Sequence, residues 1–194
     1  DNSRTAKVAT GKNPSSVVIA ANNTTAFVAN RADGTVVRVI GIDGGTPSVD
    51  ATVDVGAEPV ALALSPTGAK LFVAEMAASR VTIIDTKTME VLESIDVDRP
   101  RALTITNNLD KNDDDETLVV TQFFGVATPG GEAKDDGRTG KVRLYSLADL
   151  STYRSLNLAP IDSGFPKGGV AGNPTVLASP NQLSAVAVAN DRVF

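Results

Sequence analysis

The stretch GAEPVALALSPTGAKLFVAE, residues 56–75, decides the fold of this chain. Apolar residues alternate on both sides of the turn Pro66-Thr67-Gly68, which is the pattern of a β-hairpin. The pattern starts at a proline, closes on a polar residue and occurs four times: Asn13-Pro14 to Asn30, Glu58-Pro59 to Glu75, Arg99-Pro100 to Gln122, and Asn173-Pro174 to Asn190. The proline and the closing residue lie 16 positions apart in the first, second and fourth copies and 22 apart in the third. Such self-similarity is typical of propellers and solenoids.

The second copy continues with two more strand patterns. Val81 to Asp85 predicts a third strand, and Val91 to Val97 predicts a fourth. Four antiparallel strands per repeat make one blade of a propeller. A single sheet of this kind has two apolar faces, and only stacking against neighbouring sheets buries both. The sequence therefore predicts an all-β fold, a β-propeller of four-stranded antiparallel blades.

The repeat boundaries predict one propeller segment with three full blades and two partial ones. Lys7 to Gly11 aligns with Val53 to Gly56, the end of a fourth strand. We therefore expect the last strand of a preceding blade in 1–11, full blades in 12–56, 57–98 and 99–158, and a connecting loop with an incomplete blade in 159–194. Closed propellers have about four to eight blades. The chain is thus expected to be part of a larger propeller, of about six to eight blades, completed by a missing segment or by a second chain.

Composition excludes several classes of site. The chain has 18 basic and 23 acidic residues, a net charge of -5, and no clustered basic face, so no nucleic-acid partner is expected. No apolar run approaches the roughly 18 residues of a membrane helix, so no membrane insertion is expected. The sequence contains no cysteine and no histidine, which removes thiolate and imidazole ligands and the commonest general base. No catalytic residue is predicted.

The closing tetrads resemble those of a known repeat family. Phe27-Val28-Ala29-Asn30 and Phe72-Val73-Ala74-Glu75 each follow a Gly-x-x-Pro start, at Gly11 to Pro14 and Gly56 to Pro59. This arrangement resembles the YVTN-type propeller repeats of bacterial and archaeal surface-layer proteins, and it is similar to lactonase-like propellers. The family tyrosine is absent from all four tetrads, and alanine replaces its threonine in three. The resemblance implies an extracellular, cell-surface or periplasmic protein.

All departures from the repeat lie in or after the third blade. They are an insertion at 107–116, a link at 123–140 and an exit segment at 159–173. Loops longer than about 12 residues are usually functional or disordered. The resemblance implies that the two longest insertions share the face where propellers usually bind their ligands.

The acidic insertion is a candidate calcium site. Oxygen-bearing side chains stand at alternate positions, Asp110, Asn112 and Asp114, with Glu116 next in register. Calcium binds six to eight oxygens, and a loop of alternate carboxylates can wrap around it. The alternative is a solvated acidic turn, which is what most charge runs are. Calcium is the only cofactor that the sequence suggests.

The link and the exit segment supply a candidate partner-binding site. Phe123 and Phe124 are adjacent in a chain with 4% aromatic residues, and in an extended segment their rings would point to opposite sides. One ring is expected in the core. The other, together with Phe165, Lys134 and Arg138, has the composition of a protein-binding hot spot. The alternative is that the two loops pack their own aromatic rings.

These patterns favour a non-catalytic binding or structural module of a secreted or cell-surface protein, with a protein or cell-surface component as partner. Two alternatives stay open. A lactonase-like hydrolase would have its active site largely in blades outside this sequence. A redox accessory propeller would dock an electron-transfer partner.

Overall fold

Three four-stranded antiparallel sheets make up most of the chain. The computed structural model describes residues 6–129, 131, 137–189 and 192–194. Blade one consists of β1 (Pro14–Ile19), β2 (Thr25–Asn30), β3 (Thr35–Ile40) and β4 (Ser48–Asp54). Blade two consists of β5 (Pro59–Leu64), β6 (Lys70–Glu75), β7 (Arg80–Asp85) and β8 (Val91–Asp96). Blade three consists of β9 (Pro100–Ile105), β10 (Thr117–Gln122), β13 (Lys141–Ser146) and β14 (Asp149–Asn157).

Short hairpins form the rest of the regular structure. In each blade the strands follow one another in chain order across the sheet. The remaining strands are β11 (Val126–Ala127), β12 (Arg138–Thr139), β15 (Ile161–Pro166), β16 (Thr175–Ala178), β17 (Val188–Ala189) and β18 (Arg192–Val193). No helix in the described ranges is long and apolar enough to cross a membrane. The predicted all-β propeller architecture is confirmed.

The leading proline and the closing polar residue face each other across the first hairpin of every blade. The pairs are Pro14 with Asn30, Pro59 with Glu75, and Pro100 with Gln122. The register shifts directly beside each pair, because proline has no N–H to continue the ladder. The six extra residues of the third copy therefore lie in its hairpin loop and leave this pairing unchanged.

The residue before each leading proline has a left-handed backbone. The φ angles are 56° at Asn13, 57° at Glu58 and 43° at Arg99. Each of these residues accepts a hydrogen bond at its carbonyl from the amide that follows the closing residue: Arg31 to Asn13 at 2.9 Å, Met76 to Glu58 at 2.9 Å, and Phe123 to Arg99 at 3.0 Å. The unusual backbone thus ties the entry of each blade to the end of its second strand.

Apolar side chains fill the two spaces between the blades. Phe27 and Val36 of blade one pack with Leu71 and Ile84 of blade two. On the other side of blade two, the core cluster consists of Phe72, Ile83, Leu118, Val120 and Tyr145, with smaller neighbours. Burying a large aliphatic or aromatic side chain contributes about 1.5–3 kcal/mol. Stacking of sheet on sheet therefore supplies the core, as the repeat predicts.

The amino-terminal segment differs from its prediction as a strand. Residues 6–13 have no strand assignment, and residues 1–5 lie outside the described part of the chain. The segment runs along blade one. The Thr10 carbonyl accepts a hydrogen bond from the side-chain amide of Asn30 at 2.9 Å, and the backbone amide of Lys12 donates one to the Asp33 carboxylate at 2.7 Å. A fourth strand forms only beside a third strand, and no described residue provides one here.

The fourth copy does not form the predicted hairpin in the described residues. The segment led by Pro174 was expected to pair with Ala187 to Asn190, of which Asn190 lies outside the described ranges. Instead β16 pairs with β15, from the segment predicted as a connecting loop. Gly168 and Gly169 lie between the two strands with φ of 70° and 71°. Glycines with a left-handed backbone allow the chain to reverse its direction. β16 can therefore pair with β15, the strand that directly precedes it in the chain.

Candidate functional site

The two adjacent phenylalanines contact each other where β10 ends. The rings of Phe123 and Phe124 meet edge to face, with centroids 4.9 Å apart. The Arg99 guanidinium lies 5.1 Å from the Phe124 centroid, within cation–π distance. Both rings are half-buried. The expectation of opposite orientations was wrong, because these residues form a bend and not an extended strand.

Hydrogen bonds close the base of the link that follows and attach it to the carboxyl-terminal segment. Arg138 donates a hydrogen bond to the Gly125 carbonyl at 3.0 Å. The Gly125 amide donates to Asn181 at 2.7 Å, which brings the carboxyl-terminal segment against this link. Lys134, the remaining candidate of the link, lies outside the described residues.

Phe165 is exposed and lies outside the link. It belongs to the hairpin of β15 and β16, residues 161–178, which we call the exit hairpin. Phe165 is 73% exposed, and Ile161 and Leu177 of the same hairpin are 60% and 63% exposed. Among the described residues Phe165 has no ring contact with Phe123 or Phe124. Of the predicted partner-binding residues, Phe123 and Phe124 are thus half-buried and Phe165 is exposed.

The acidic insertion is organised by its own side chains. Asp110 accepts a hydrogen bond from the amide of Asn112 at 2.7 Å, and Asn112 accepts one from the amide of Asp114 at 3.2 Å. Asn and Asp side chains that bond the backbone two residues on form Asx turns. In the described part of the chain, no three acidic side chains converge closely enough to hold a metal ion. Calcium binding stays a prediction.

Glu116 points into the hairpin and not toward Asp114. Its side chain is buried, with the residue 3% exposed. The carboxylate accepts hydrogen bonds from the Asn108 amide at 2.7 Å and from the Thr106 hydroxyl. Glu116 therefore holds the start of the insertion to the start of β10, a role that the alternating pattern does not predict.

Asp113, which the alternating pattern passes over, connects two blades. It accepts hydrogen bonds from the amide and the hydroxyl of Thr67, in the first hairpin turn of blade two, at 3.0 and 2.6 Å. Partial burial raises the pKa of Asp113, but the hydrogen bonds from Thr67 outweigh burial, so the pKa lies below its usual value. The insertion thus binds the neighbouring hairpin.

Two polar crevices lie between blades one and two. A cavity of about 450 Å³ at the hairpin end contains Arg38 and Asp50, which form a 2.7 Å ion pair. Arg38 holds the pKa of Asp50 below its usual range and also donates to the Thr86 and Lys87 carbonyls of blade two. A cavity of about 600 Å³ at the opposite end is lined by Arg31, Glu58 and neighbouring residues.

Arg31 and Glu58 form a 2.8 Å ion pair across the second crevice. Glu58 is the residue before the leading proline of its blade, and the corresponding residues are Asn13 and Arg99. The sequence does contain a signal for these positions, because the residue before the leading proline changes from an amide to a carboxylate to a guanidinium while the proline repeats. The prediction relied on the residues that the copies share and therefore did not include these positions.

The comparisons with known proteins identify the fold. No protein-family model matches the chain, and no curated protein matches it. The solved structure of U3-55K has a TM-score of 0.55 and 12% identity, over 87% of this chain and 52% of that one. The structure of the WD40 repeats of RRP9 has a TM-score of 0.55 and 12% identity, over 87% of this chain and 51% of that one. The β-propeller domain of Cps50 (Swd1) from Myceliophteria thermophila has a TM-score of 0.55 and 12% identity, over 80% of this chain and 42% of that one.

The chain therefore spans about half the length of these solved structures, or less. All three are similar to it in backbone arrangement and distant in sequence. At 12% identity, this structural similarity establishes the β-propeller fold alone.

Proposed function

We propose that this chain is a non-catalytic protein-interaction module that binds its partner through the exit hairpin and the link of blade three. The observation that carries the proposal is the exposure of Phe165, Ile161 and Leu177 on one two-stranded hairpin, with Leu177 on the opposite face from Ile161, because Leu177 pairs with Asp162 and Ile161 with Ala178. Large exposed apolar side chains close together in one short hairpin mark interaction sites more often than scattered single ones do. A two-stranded hairpin is at best marginally stable in water alone, so a partner that covers these side chains would also stabilise the hairpin.

The surroundings of the aromatic pair support the same role. Arg99 lies over the Phe124 ring with its charged group accessible, and Asp98 lies beside it in the chain. Arginine and aromatic residues are enriched among the residues that dominate binding energy. The β-propeller fold is compatible with this function, since it presents loops from several blades on one face.

The resemblance of the closing tetrads to YVTN-type repeats supports a finer version of the proposal. In that version the module belongs to a secreted or surface protein, and its partner is a protein or another cell-surface component. No observation in the described residues favours the hydrolase or the redox alternative.

The proposal is tested by comparing partners of three proteins purified from the producing cells: the wild type, Phe165→Ser and Leu92→Ser. Leu92 is the matched control, because it is 52% exposed on the outer strand of blade two. We expect Phe165→Ser to lose a partner that the wild type and Leu92→Ser both retain. Circular dichroism of each variant checks that the fold is intact. Identical partner sets for the three proteins would overturn the proposal.

A further inference from the structure

Blade one has exposed apolar side chains on the face that it turns away from blade two. Val17 and Ile19 of its first strand are 61% and 59% exposed. Val18, between them, packs in the cluster that blades one and two share. Successive side chains of a strand point to opposite faces of the sheet, so Val17 and Ile19 lie on the other face. We call this surface, which also contains Val28 opposite Val17, the open face.

The equivalent face is buried in the other two blades. In each blade the fourth residue of the first strand lies opposite a valine of the second strand: Val17 with Val28, Leu62 with Val73, and Leu103 with Val120. Leu62 is 6% exposed and Leu103 is 7% exposed. The same position of the fold is therefore covered twice and uncovered once.

The surface that covers this face has the same composition in both interfaces. In the first, Phe27 and Ala29 of blade one belong to the cluster that contains Leu62 of blade two. In the second, Phe72 and Ala74 of blade two belong to the cluster that contains Leu103 of blade three. The second strand of the preceding blade thus supplies an aromatic ring and, two residues later, an alanine. The open face is the matching half of a third interface of this kind.

The amino-terminal segment covers only part of the open face. Val8 packs with Val37 and Val39 of the third strand, while Val17 and Ile19 of the first strand stay exposed. Terminal repeats of a stacked array generally have a polar outer face, because no neighbour covers them. An apolar outer face indicates that blade one is not the end of the stack.

The fourth copy presents apolar groups at the positions of a covering strand. Ala187 and Ala189 precede its closing residue by three and one positions, which are the places of Phe27 and Ala29 in blade one. Both alanines are exposed. Phe194, which is 71% exposed, exchanges two backbone hydrogen bonds with Ala187, of 2.8 and 2.9 Å. Directly opposite residues of an antiparallel pair have their side chains on one face. We call Ala187, Ala189 and Phe194 the carboxyl-terminal patch.

We propose that the open face packs against the carboxyl-terminal patch of a second copy of this chain, and that two such junctions close one propeller ring from two chains. The chain matches about half of the length of the propellers U3-55K and RRP9, 52% and 51%. Two copies therefore supply about the length of one closed ring. Closure leaves no blade face uncovered, and a twofold axis makes the two junctions identical.

The first test is the mass of the protein in solution. Size-exclusion chromatography with light scattering compares the wild type, Val17→Lys/Ile19→Lys and Leu92→Lys at about 50 μM chain, above the micromolar Kd of a weak interface. Leu92 is the matched control, since it is 52% exposed on the outer strand of blade two. We expect twice the chain mass of 20.0 kDa for the wild type and the control, and the single-chain mass for the lysine pair. Circular dichroism checks each fold.

The second test identifies the two surfaces that meet. The chain contains no cysteine, so Val17→Cys and Ala187→Cys each carry one thiol, and a short bismaleimide joins only thiols that lie close together. We expect covalent dimers in an equimolar mixture of these two variants and few in either variant alone. A mixture of Leu92→Cys with Ala187→Cys is the control and should give none. None of these variants changes the exit hairpin, so the result is independent of the proposed partner site.

Four results would each overturn the proposal. A wild type at the single-chain mass would assign the open face to another polypeptide segment. A dimer that the lysine pair leaves intact would place the interface elsewhere. Covalent dimers of Val17→Cys alone would mean that two open faces pack on each other. A mass that exceeds two chains and grows with concentration would indicate an open array instead of a closed ring. If the lysine pair fails to fold, the cross-linking and the mass of the wild type decide.

Discussion

Asp113 accepts two hydrogen bonds from Thr67, which precedes it by 46 residues: one from the backbone amide at 3.0 Å and one from the hydroxyl at 2.6 Å. The two residues belong to first hairpins of neighbouring blades. The acidic insertion of blade three therefore has a structural role, because it clamps onto the turn of blade two. Apolar packing joins the same two blades, and the clamp adds a polar contact at one end of their interface.

Removing the clamp should destabilise the protein. We expect Asp113→Ala to lower the free energy of unfolding by about 1–2 kcal/mol, because two hydrogen bonds to a partly exposed carboxylate are lost. Asp114→Ala is the matched control, since this neighbouring side chain is exposed and makes no hydrogen bond among the described residues. Urea denaturation of both variants measures the difference. Equal stability of the two variants would show that the clamp contributes nothing.

The same pair should make stability depend on pH. The pKa of Asp113 is lowered in the folded protein, so the unfolded chain takes up the proton first as the pH falls. The contribution of this carboxylate is therefore complete above the unfolded pKa of about 3.9 and is lost as the pH falls through the lower folded pKa. Urea midpoints of the wild type and Asp113→Asn, compared between neutral pH and about pH 3, should converge in acid. A constant gap between the two would contradict the assignment.

The glycine of the Gly-x-x-Pro motif should be needed for packing against the closing residue. A Cβ added at Gly56 would overlap the Glu75 carboxylate and lie 2.8 Å from the Ala78 Cβ and 2.9 Å from an Arg80 nitrogen. The corresponding position in blade one, Gly11, lies against Asn30 in the same way. We expect Gly56→Ala to lower the free energy of unfolding by about 1–3 kcal/mol, the usual effect of overpacking.

The control for this prediction is Gly44→Ala, in an open loop where an added Cβ meets nothing within 4 Å. That change should be neutral or slightly stabilising, because alanine restricts the unfolded chain. Thermal unfolding compares the two variants. A Gly56→Ala protein as stable as the Gly44→Ala protein would mean that Glu75 and its neighbours can move aside freely.

The calcium hypothesis for Asp110, Asn112, Asp114 and Glu116 has its own test. Calcium binding predicts heat in a calorimetric titration of the wild type at millimolar calcium, and loss of that heat in the double variant Asp110→Ala/Asp114→Ala, which removes two carboxylate ligands. Titrations that are flat for both proteins would reject the hypothesis.

Glu116 should matter in the absence of calcium as well. We expect Glu116→Ala to lower the free energy of unfolding by about 2 kcal/mol with a chelator present, since it removes a buried acceptor and leaves the Asn108 amide without this partner. Urea denaturation in chelator, with Asp114→Ala as the exposed control, measures the effect. A loss of stability that appears only when calcium is added would assign Glu116 to the metal and not to the hairpin.

The strands of the three blades could be predicted because each strand is specified by the residues next to it in the sequence. Alternation around Pro66-Thr67-Gly68 places β5 and β6, and each of these strands pairs with a segment that lies next to it in the chain. Local turn residues and period-two patterns are sufficient for such pairings. The candidate sites were predicted less well, since Phe123 and Phe124 lie in a bend with their rings in contact, and the Glu116 side chain is buried in the hairpin.

What the sequence determined by itself is the repeating unit: where each blade starts, which residues alternate into its faces, and that these faces must be covered by other sheets. Only the tertiary structure decided that Asp113 reaches Thr67, that the side chains of the closing residues lie buried, and that β16 pairs with β15 and not with the closing segment of the fourth copy. The physical reason is that these features depend on groups from different blades, or on two segments that compete for one strand edge. The free energy of each of these arrangements depends on how the blades pack together and not on any local sequence pattern.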